Sequence, residues 1–347
     1  MKAYRRLVLA ALCLTALVVV FGAYVRLADA GLGCPDWPGC YGRLTPHHAA
    51  EDIGAAHAAD PHGPVSPAKA WKEMVHRYLA GGLGLLIVAI AVLAWRLRRL
   101  PEVAAGAAIG LVGVVVIQAL LGKWTVTLLL KPAIVTSHLL GGLTLLGLLS
   151  WVSLRAWGAA RASRGYGPIL RLCARVGLAL LAVQIALGGW TSTNYAALAC
   201  PDFPGCHGSA WPEADYANAF HLRRELGMTA DGELLPLAAL TAIHWAHRVG
   251  AAVAGGFLLL LAGLLLRRDA VAGRVLMAAV LMQLALGVAN VLLAVPLPLA
   301  AAHNAGAALL VGVMVWINWR AGGEAVSRRS PALQFAPLRR AENGRPS

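Results

Sequence analysis

The chain has 347 residues, of which 59% are hydrophobic and 13% are charged, and its formal net charge at pH 7 is +14. Its mean hydropathy of +0.67 is too high for a soluble protein of this length, which would need far more polar surface, so the composition indicates a membrane protein. An excess of basic residues can also indicate nucleic-acid binding, but the positions of the Lys and Arg residues along this chain argue against that class of function.

Eight apolar runs are long enough to cross about 30 Å of hydrocarbon, which takes roughly 20 helical residues. They lie near 7–27, 74–95, 103–124, 133–154, 169–191, 238–266, 274–295 and 298–319. The first run is too long for a secretory signal peptide and lacks a convincing cleavage site, so it is predicted to be an anchor. We therefore predict an all-α integral membrane protein with eight transmembrane helices.

The basic residues predict how these helices are oriented. If the N-terminus is inside, 20 of the 30 Lys and Arg residues fall in inner segments, and the other 10 are spread through the outer loops and outer helix ends. This is the positive-inside bias that sets membrane topology. Both termini are therefore predicted to be cytoplasmic, in a bacterial inner membrane, with lipid and no nucleic acid as partner. The tail over 323–347, rich in Arg, Pro and Ala, is predicted to be disordered.

Two of the predicted outer loops contain nearly the same heptapeptide, CPDWPGC at 34–40 and CPDFPGC at 200–206. The outer, periplasmic side of a bacterial membrane is oxidising, so a disulfide is predicted in each loop. The predicted pairs are Cys34–Cys40 and Cys200–Cys206. Each disulfide could be a staple for its loop or a redox-active group that passes electrons, and the sequence leaves both roles open.

The similarity between the two halves extends beyond the cysteine loops. QALLGKWTV at 118–126 corresponds to QLALGVANV at 283–291, and His138 and His303 each follow the Gln of that segment by 20 residues. We predict a four-helix unit duplicated in parallel topology, with repeats at 1–160 and 161–322. Such a duplication can produce a transporter with a site between the repeats, or two bundles that each hold a cofactor.

Histidines inside apolar helices are costly and are functional candidates by default. There are five of them: His76, His138, His244, His247 and His303. All except His244 fall in the first two or three turns of the second, fourth, sixth or eighth predicted helix, so they lie at similar depth, two in each repeat. Two imidazoles at one depth in one bundle are what axial ligation of a haem iron needs. The alternative is that each ring makes an interhelical hydrogen bond.

Two arginines and one carboxylate accompany these histidines. Arg77 and Arg248 directly follow His76 and His247, and each is predicted to bind a haem propionate, although an Arg at this depth can also reach lipid headgroups. Glu73 lies three residues before His76 on the same helix face and has no acidic counterpart in the second half. It is the candidate catalytic proton acceptor, and the first half is predicted to carry out the chemistry.

Taken together, these features resemble the haem A synthase family over roughly residues 5–320. The features are the eight-helix duplication, EMVHR and HWAHR at the starts of even-numbered helices, His138 and His303, and the cysteine loops of the prokaryotic cysteine-containing type. The resemblance implies an oxidoreductase that oxidises a methyl group of haem O to a formyl group, making haem A for terminal oxidases. It also implies that haem O is delivered by haem O synthase.

The resemblance also implies roles for the metal ligands. His76 and His138 would bracket the substrate haem, and His247 and His303 would ligate a haem B cofactor. Glu73 matches the acidic residue of the family's ExxHR pattern. In the second half His244 occupies the corresponding place, which departs from the pattern, and His247 is favoured as the ligand because it keeps the HR pairing.

Two other functions are alternatives to this enzyme. One is a di-haem b-type membrane protein that passes electrons to a partner without forming a product, and the other is a transporter. Glu73 favours the enzyme, because an electron-transfer protein has no need of the acid, and the lack of broken mid-membrane helices argues against a transporter.

If two His fill both axial positions, either one ligand is displaced in turnover or the haem is oxidised at its edge. The sequence leaves both routes open, and the electron partner is unidentified.

Overall fold

The computed structural model describes residues 1–158 and 166–322, and within these ranges the chain is helical with no β-strand. The helices are α1 (Lys2–Leu27), α2 (Ala50–Ala59), α3 (Pro67–Arg96), α4 (Ala105–Thr127), α5 (Pro132–Ala156), α6 (Pro168–Thr193), α7 (Tyr216–Ala219), α8 (Leu237–Leu266), α9 (Ala270–Leu292) and α10 (Leu297–Ala321). A 3₁₀ turn follows α6 at Ala196–Leu198. The tail predicted to be disordered, 323–347, lies outside the described residues.

All eight predicted membrane-spanning segments are confirmed as helices long and apolar enough to cross a membrane, so the protein is a multi-pass all-α membrane protein. The largest difference from the prediction is at α3, which begins seven residues early. The reason is local. Ser66 accepts a hydrogen bond from the backbone N–H of Lys69, and Pro67 occupies the first helical position, where its missing N–H costs nothing.

The membrane helices form two groups. Within the first group α1 contacts α3 and α5, and α4 contacts the same two helices; within the second group α6 contacts α8 and α10, and α9 contacts the same two. The groups meet through α1 with α10, α5 with α6, and α5 with α10. A duplicated unit would produce this repeated pattern. The predicted repeat boundaries and the orientation across the membrane stay predictions.

Each group has its own apolar core, and each long loop is packed onto its group. In the first group the core includes Tyr4, Ile87 and Leu149, all fully buried. The loop between α1 and α3 (28–66) is anchored by a separate cluster, in which Cys34, Cys40, Ala49 and Ile53 pack against Ala70 and Met74 of α3. A similar cluster of Trp190, Ala196, Ala219, Ala239, Ala242 and Ile243 anchors the loop between α6 and α8 (194–236). Both loops therefore have a fixed position over the helix ends.

Candidate haem site

Four of the five helical histidines lie in two pairs, one in each helix group. His76 is on α3 and His138 is on α5, and His247 is on α8 and His303 is on α10. At 1.5 Å per residue, their Cα atoms lie about 9–15 Å from the starts of their helices. Within each pair the two imidazoles lie near enough to each other to interact electrostatically if both carried a proton. The structure thus brings the predicted partners together, while ligation of iron by them stays a prediction.

Every one of these four imidazoles lies against a glycine of the preceding membrane helix. The glycines are Gly22 for His76, Gly122 for His138, Gly188 for His247 and Gly287 for His303. A Cβ added at these glycines would lie 2.7, 3.4, 2.9 and 3.2 Å, respectively, from the Cε1 of the ring. A Cβ at Gly22 or Gly188 would push the ring aside, one at Gly287 would be tight, and one at Gly122 would make an ordinary contact. Sequence reasoning missed them, although three share a visible signal, a Gln four residues earlier.

The donor set fits a haem. The Nδ1 atoms of His76, His138 and His303 are buried and have no hydrogen-bond partner within the described part of the chain. His57 and His244 have the same unpartnered Nδ1, so what points to a ligand is the pairing of imidazoles within each helix group. Across residues 1–158 and 166–322, no three or more His, Cys, Asp or Glu side chains are grouped to hold a metal ion. Paired imidazoles instead suit a haem, whose porphyrin supplies the in-plane ligands and takes only axial ones from the protein.

Glu73 is buried, but its partners are not the ones expected of it. Only 5% of the residue is exposed, and its Oε2 accepts a hydrogen bond from the backbone N–H of Cys34 at 3.0 Å. Its Oε1 forms an ion pair with Arg77, one turn further along α3. None of its hydrogen bonds in the described part of the chain goes to His76. Glu73 therefore connects the cysteine loop to the helix that carries His76.

Arg77 has the same loop as its main partner. Its Nη1 donates to the backbone carbonyls of Asp36 at 2.8 Å and Gly39 at 2.5 Å, and its Nη2 donates to Glu73. These bonds hold the 34–40 ring on α3. The propionate contact predicted for Arg77 stays a prediction, since its Nη1 and Nη2 already have protein acceptors.

Arg248 repeats this arrangement in the second group. Its Nη1 donates to the carbonyls of Asp202 at 2.7 Å and Gly205 at 2.5 Å, and its Nη2 donates to Cys200 O at 2.7 Å. His244, in the place of Glu73, accepts from Arg248 Nε at 3.3 Å and is buried. The propionate contact predicted for Arg248 also stays a prediction. Both HR motifs therefore attach a cysteine loop to a histidine-bearing helix.

Each loop is also closed by its own aspartate. The carboxylate of Asp202 accepts the backbone N–H groups of His207 at 2.7 Å and Gly208 at 2.8 Å, and Asp36 accepts those of Tyr41 and Gly42 in the same way. The Gly208 N–H, with that of His207, holds the pKa of the Asp202 carboxyl below its usual range. The CPDxPGC sequence thus specifies a preformed turn in both loops.

The sequence matches, over residues 5–315, the COX15-CtaA family, described as cytochrome oxidase assembly protein. The chain belongs to this family. It is 40% identical over 316 residues to a protein of Shewanella oneidensis named Heme A synthase, covering 89% of this chain and 93% of the relative. It is 29% identical over 332 residues to a Heme A synthase of Caulobacter vibrioides, covering 87% and 91% of the two chains. A third Heme A synthase, from Rhizorhabdus wittichii, is 26% identical over 318 residues. The predicted membership of the haem A synthase family is confirmed.

This member of the COX15-CtaA family has the cysteine pairs of the cysteine-containing type. The Cys34–Cys40 and Cys200–Cys206 disulfides are both formed. All four cysteines are 0–1% exposed. Thiol–disulfide exchange requires an attacking thiolate to reach one of the sulfur atoms, and this burial prevents that access. The burial therefore favours the staple role over the redox role.

Proposed function

We propose that the protein is a haem A synthase, which oxidises a methyl group of haem O to a formyl group. The proposal is carried by one observation: a chain that matches proteins named Heme A synthase over nearly its whole length places two partly buried imidazoles in each of its two helix groups. The alternative of a di-haem electron-transfer protein has less support, because it gives no reason for an acidic residue three positions before His76 and a histidine at the matching place before His247.

The two pairs have different roles in this proposal. His76 and His138 hold the substrate haem, and His247 and His303 hold haem B. The difference between Glu73 and His244 supports this assignment, since of these two matching places only the one in the first group holds a carboxylate. When bound, haem B would supply one-electron redox chemistry, and His247 and His303 would hold it.

Converting a methyl to a formyl group with water as the oxygen donor releases four electrons and four protons, so the protein needs a proton acceptor near the substrate. Glu73 is our candidate. Its two oxygens are held in place by Arg77 and by the N–H of Cys34, on the turn of α3 just before His76. A positioned carboxylate of this kind contributes about 100- to 10,000-fold to a proton-transfer step.

The cysteine loops act as lids in this proposal. Their buried disulfides, their aspartate-closed turns and the arginine bonds to their carbonyls all fix the loops over the helix ends that carry the histidines. We place the loops on the periplasmic side of a bacterial inner membrane, which the distribution of basic residues supports. Haem O arrives from a haem O synthase, and a separate redox partner takes the electrons.

Haem analysis of membranes tests the function directly. The chain is expressed with a source of haem O, and the extracted haems are separated by chromatography. We expect haem A from the wild-type chain and none from His76→Ala. Purified His247→Ala should lose the haem B of the second group, whereas His62→Ala, at an exposed loop histidine, should keep it. Wild-type membranes without haem A, or full haem content in His247→Ala, would overturn the proposal.

A further inference from the structure

A glutamine-glycine pair recurs in three of the four helix pairs that carry the histidines. In each of them a Gln lies four residues before the glycine that contacts the imidazole. The three segments are QALLG at 118–122, QIALG at 184–188 and QLALG at 283–287. On the partner helix, a second glycine follows the histidine by three residues, at Gly141, Gly250 and Gly306. Each Gln side chain lies against this second glycine, one turn from the ring.

In the second helix group the amide also binds the histidine. Gln184 Nε2 lies 3.0 Å from both the backbone O and the Nδ1 of His247. Gln283 Nε2 lies 3.1 Å from the backbone O of His303 and 3.3 Å from its Nε2. Only the Gln184 contact is on Nδ1, which leaves the opposite nitrogen, Nε2, to face a ligand.

The amide of Gln184 can serve this ring in either protonation state. An amide nitrogen can only donate, so the contact as placed implies an unprotonated Nδ1 and, in a neutral ring, a proton on Nε2. A ligand on Nε2 requires the proton on Nδ1; a turned amide, whose buried Oε1 has no other partner in the described part of the chain, would accept it and would give up the bond from Nε2 to His247 O. The second arrangement is the usual one for a metal-bound histidine, because it fixes the ring and strengthens the ligand nitrogen.

The first helix pair lacks both parts of the motif. The place of the Gln on α1 is taken by Val18, and the place of the second glycine on α3 is taken by Leu79; both are part of the apolar core of the first group. The motif therefore places no amide beside His76, whose buried Nδ1 has no partner in the described part of the chain. Gln118 lies against Gly141, and no hydrogen bond joins its side chain to the His138 ring in these ranges.

We propose that Gln184 is a positioning residue that fixes His247 as a permanent haem ligand, and that His76, which has no corresponding amide, is the ligand that leaves its haem. This inference rests on the proposed function. A cofactor stays bound through many turnovers, whereas a substrate haem must enter and its product must leave. Fixed ligands suit the first task and a releasable ligand suits the second.

The experiment measures haem transfer from the purified full-length protein to excess apomyoglobin, together with the low-spin haem spectrum. A His76→Ala background leaves only the haem of the second group. In that background we expect Gln184→Leu to transfer its haem about 10- to 100-fold faster, the usual cost of removing an outer partner of a metal ligand. Gln118→Leu, the matched glutamine of the first group, should transfer at the parent rate.

Gln184→Glu tests the same contact in a variant of equal size. A carboxylate draws the Nδ1 proton more strongly, so the haem should stay bound and its midpoint potential should fall, which a role in helix packing alone would not produce. Parent-like transfer in Gln184→Leu, or an unchanged potential in Gln184→Glu, would overturn the positioning role. Haem binding that survives His247→Ala would instead refute the proposed site.

The converse variant tests His76. In a His247→Ala background, Val18→Gln with Leu79→Gly introduces the missing motif on α1 and α3. We expect the haem of the first group to transfer about 10-fold more slowly than in the parent. Transfer at the parent rate would show that the missing amide is not what makes His76 releasable.

Discussion

Replacing Glu73 with Gln separates its two roles, anchoring and proton transfer. The substitution keeps the size of the side chain and one carbonyl oxygen for the N–H of Cys34, but it removes the charge that pairs with Arg77. The ion pair is well shielded from water, since the side chains of Glu73 and Arg77 are only 6% and 11% exposed. The change therefore acts on a buried interaction and not on a screened surface pair.

The expected loss of stability is small. A hydrogen bond to a charged group contributes about 1.5–3 kcal/mol and a neutral one about 1 kcal/mol, so Glu73→Gln should lower the free energy of unfolding by about 1–2 kcal/mol. Arg77 keeps its carbonyl partners in the loop, which limits the loss. Arg77→Gln should cost more, about 3–5 kcal/mol, because it leaves a buried carboxylate without its counter-ion.

The expected loss of rate is large. If Glu73 accepts the protons, the conversion of haem O should slow by about 100- to 10,000-fold in protein that still holds both haems. The assay is single-turnover formation of haem A, normalised to bound haem and followed by chromatography, with thermal unfolding measured on the same sample. His244→Gln, at the matching place in the second group, is the control and should leave the rate unchanged. A haem-replete Glu73→Gln protein with near wild-type turnover would refute the proton-acceptor role and leave only the anchoring role.

Three further outcomes follow from the loops and the glycines. Replacing Cys200 and Cys206 with Ser should lower the free energy of unfolding by about 2 kcal/mol, because the unfolded chain gains the entropy of an open loop. Turnover of the folded protein should stay intact. A stable, haem-loaded variant without turnover would favour the redox role. Gly188→Ala should displace the His247 ring and lower the haem content of the purified protein. Gly256→Ala is the control and should leave the haem content unchanged, because an added Cβ there meets nothing within 4 Å. Equal haem content in the two variants would contradict the fit of the ring against Gly188. The pKa of Asp202 is lower in the folded loop, so the stabilisation by its carboxylate is complete above about pH 4 and is lost as the pH falls through the folded pKa. In Asp202→Asn, this part of the pH dependence of thermal unfolding should disappear. An unchanged pH profile in the variant would contradict this role of Asp202.

The sequence alone predicted the features that depend on local chemistry. The eight spans follow from the length of the apolar runs, because bilayer thickness sets how many residues a crossing helix needs. The disulfides follow from cysteines only six residues apart. The four histidines were candidates because a polar ring in an apolar helix needs a reason. Each of these inferences uses residues that are neighbours in the chain.

Only the tertiary structure decided what each side chain contacts. Arg77 and Arg248 were expected to bind propionates, but their donors go to loop carbonyls 38 to 48 residues earlier in the chain. The contact between Gln184 and His247 joins residues 63 positions apart. Such contacts depend on the rotation and tilt of whole helices. These are set by packing against neighbouring helices, and an almost uniformly apolar helix carries no pattern in its sequence that would fix them.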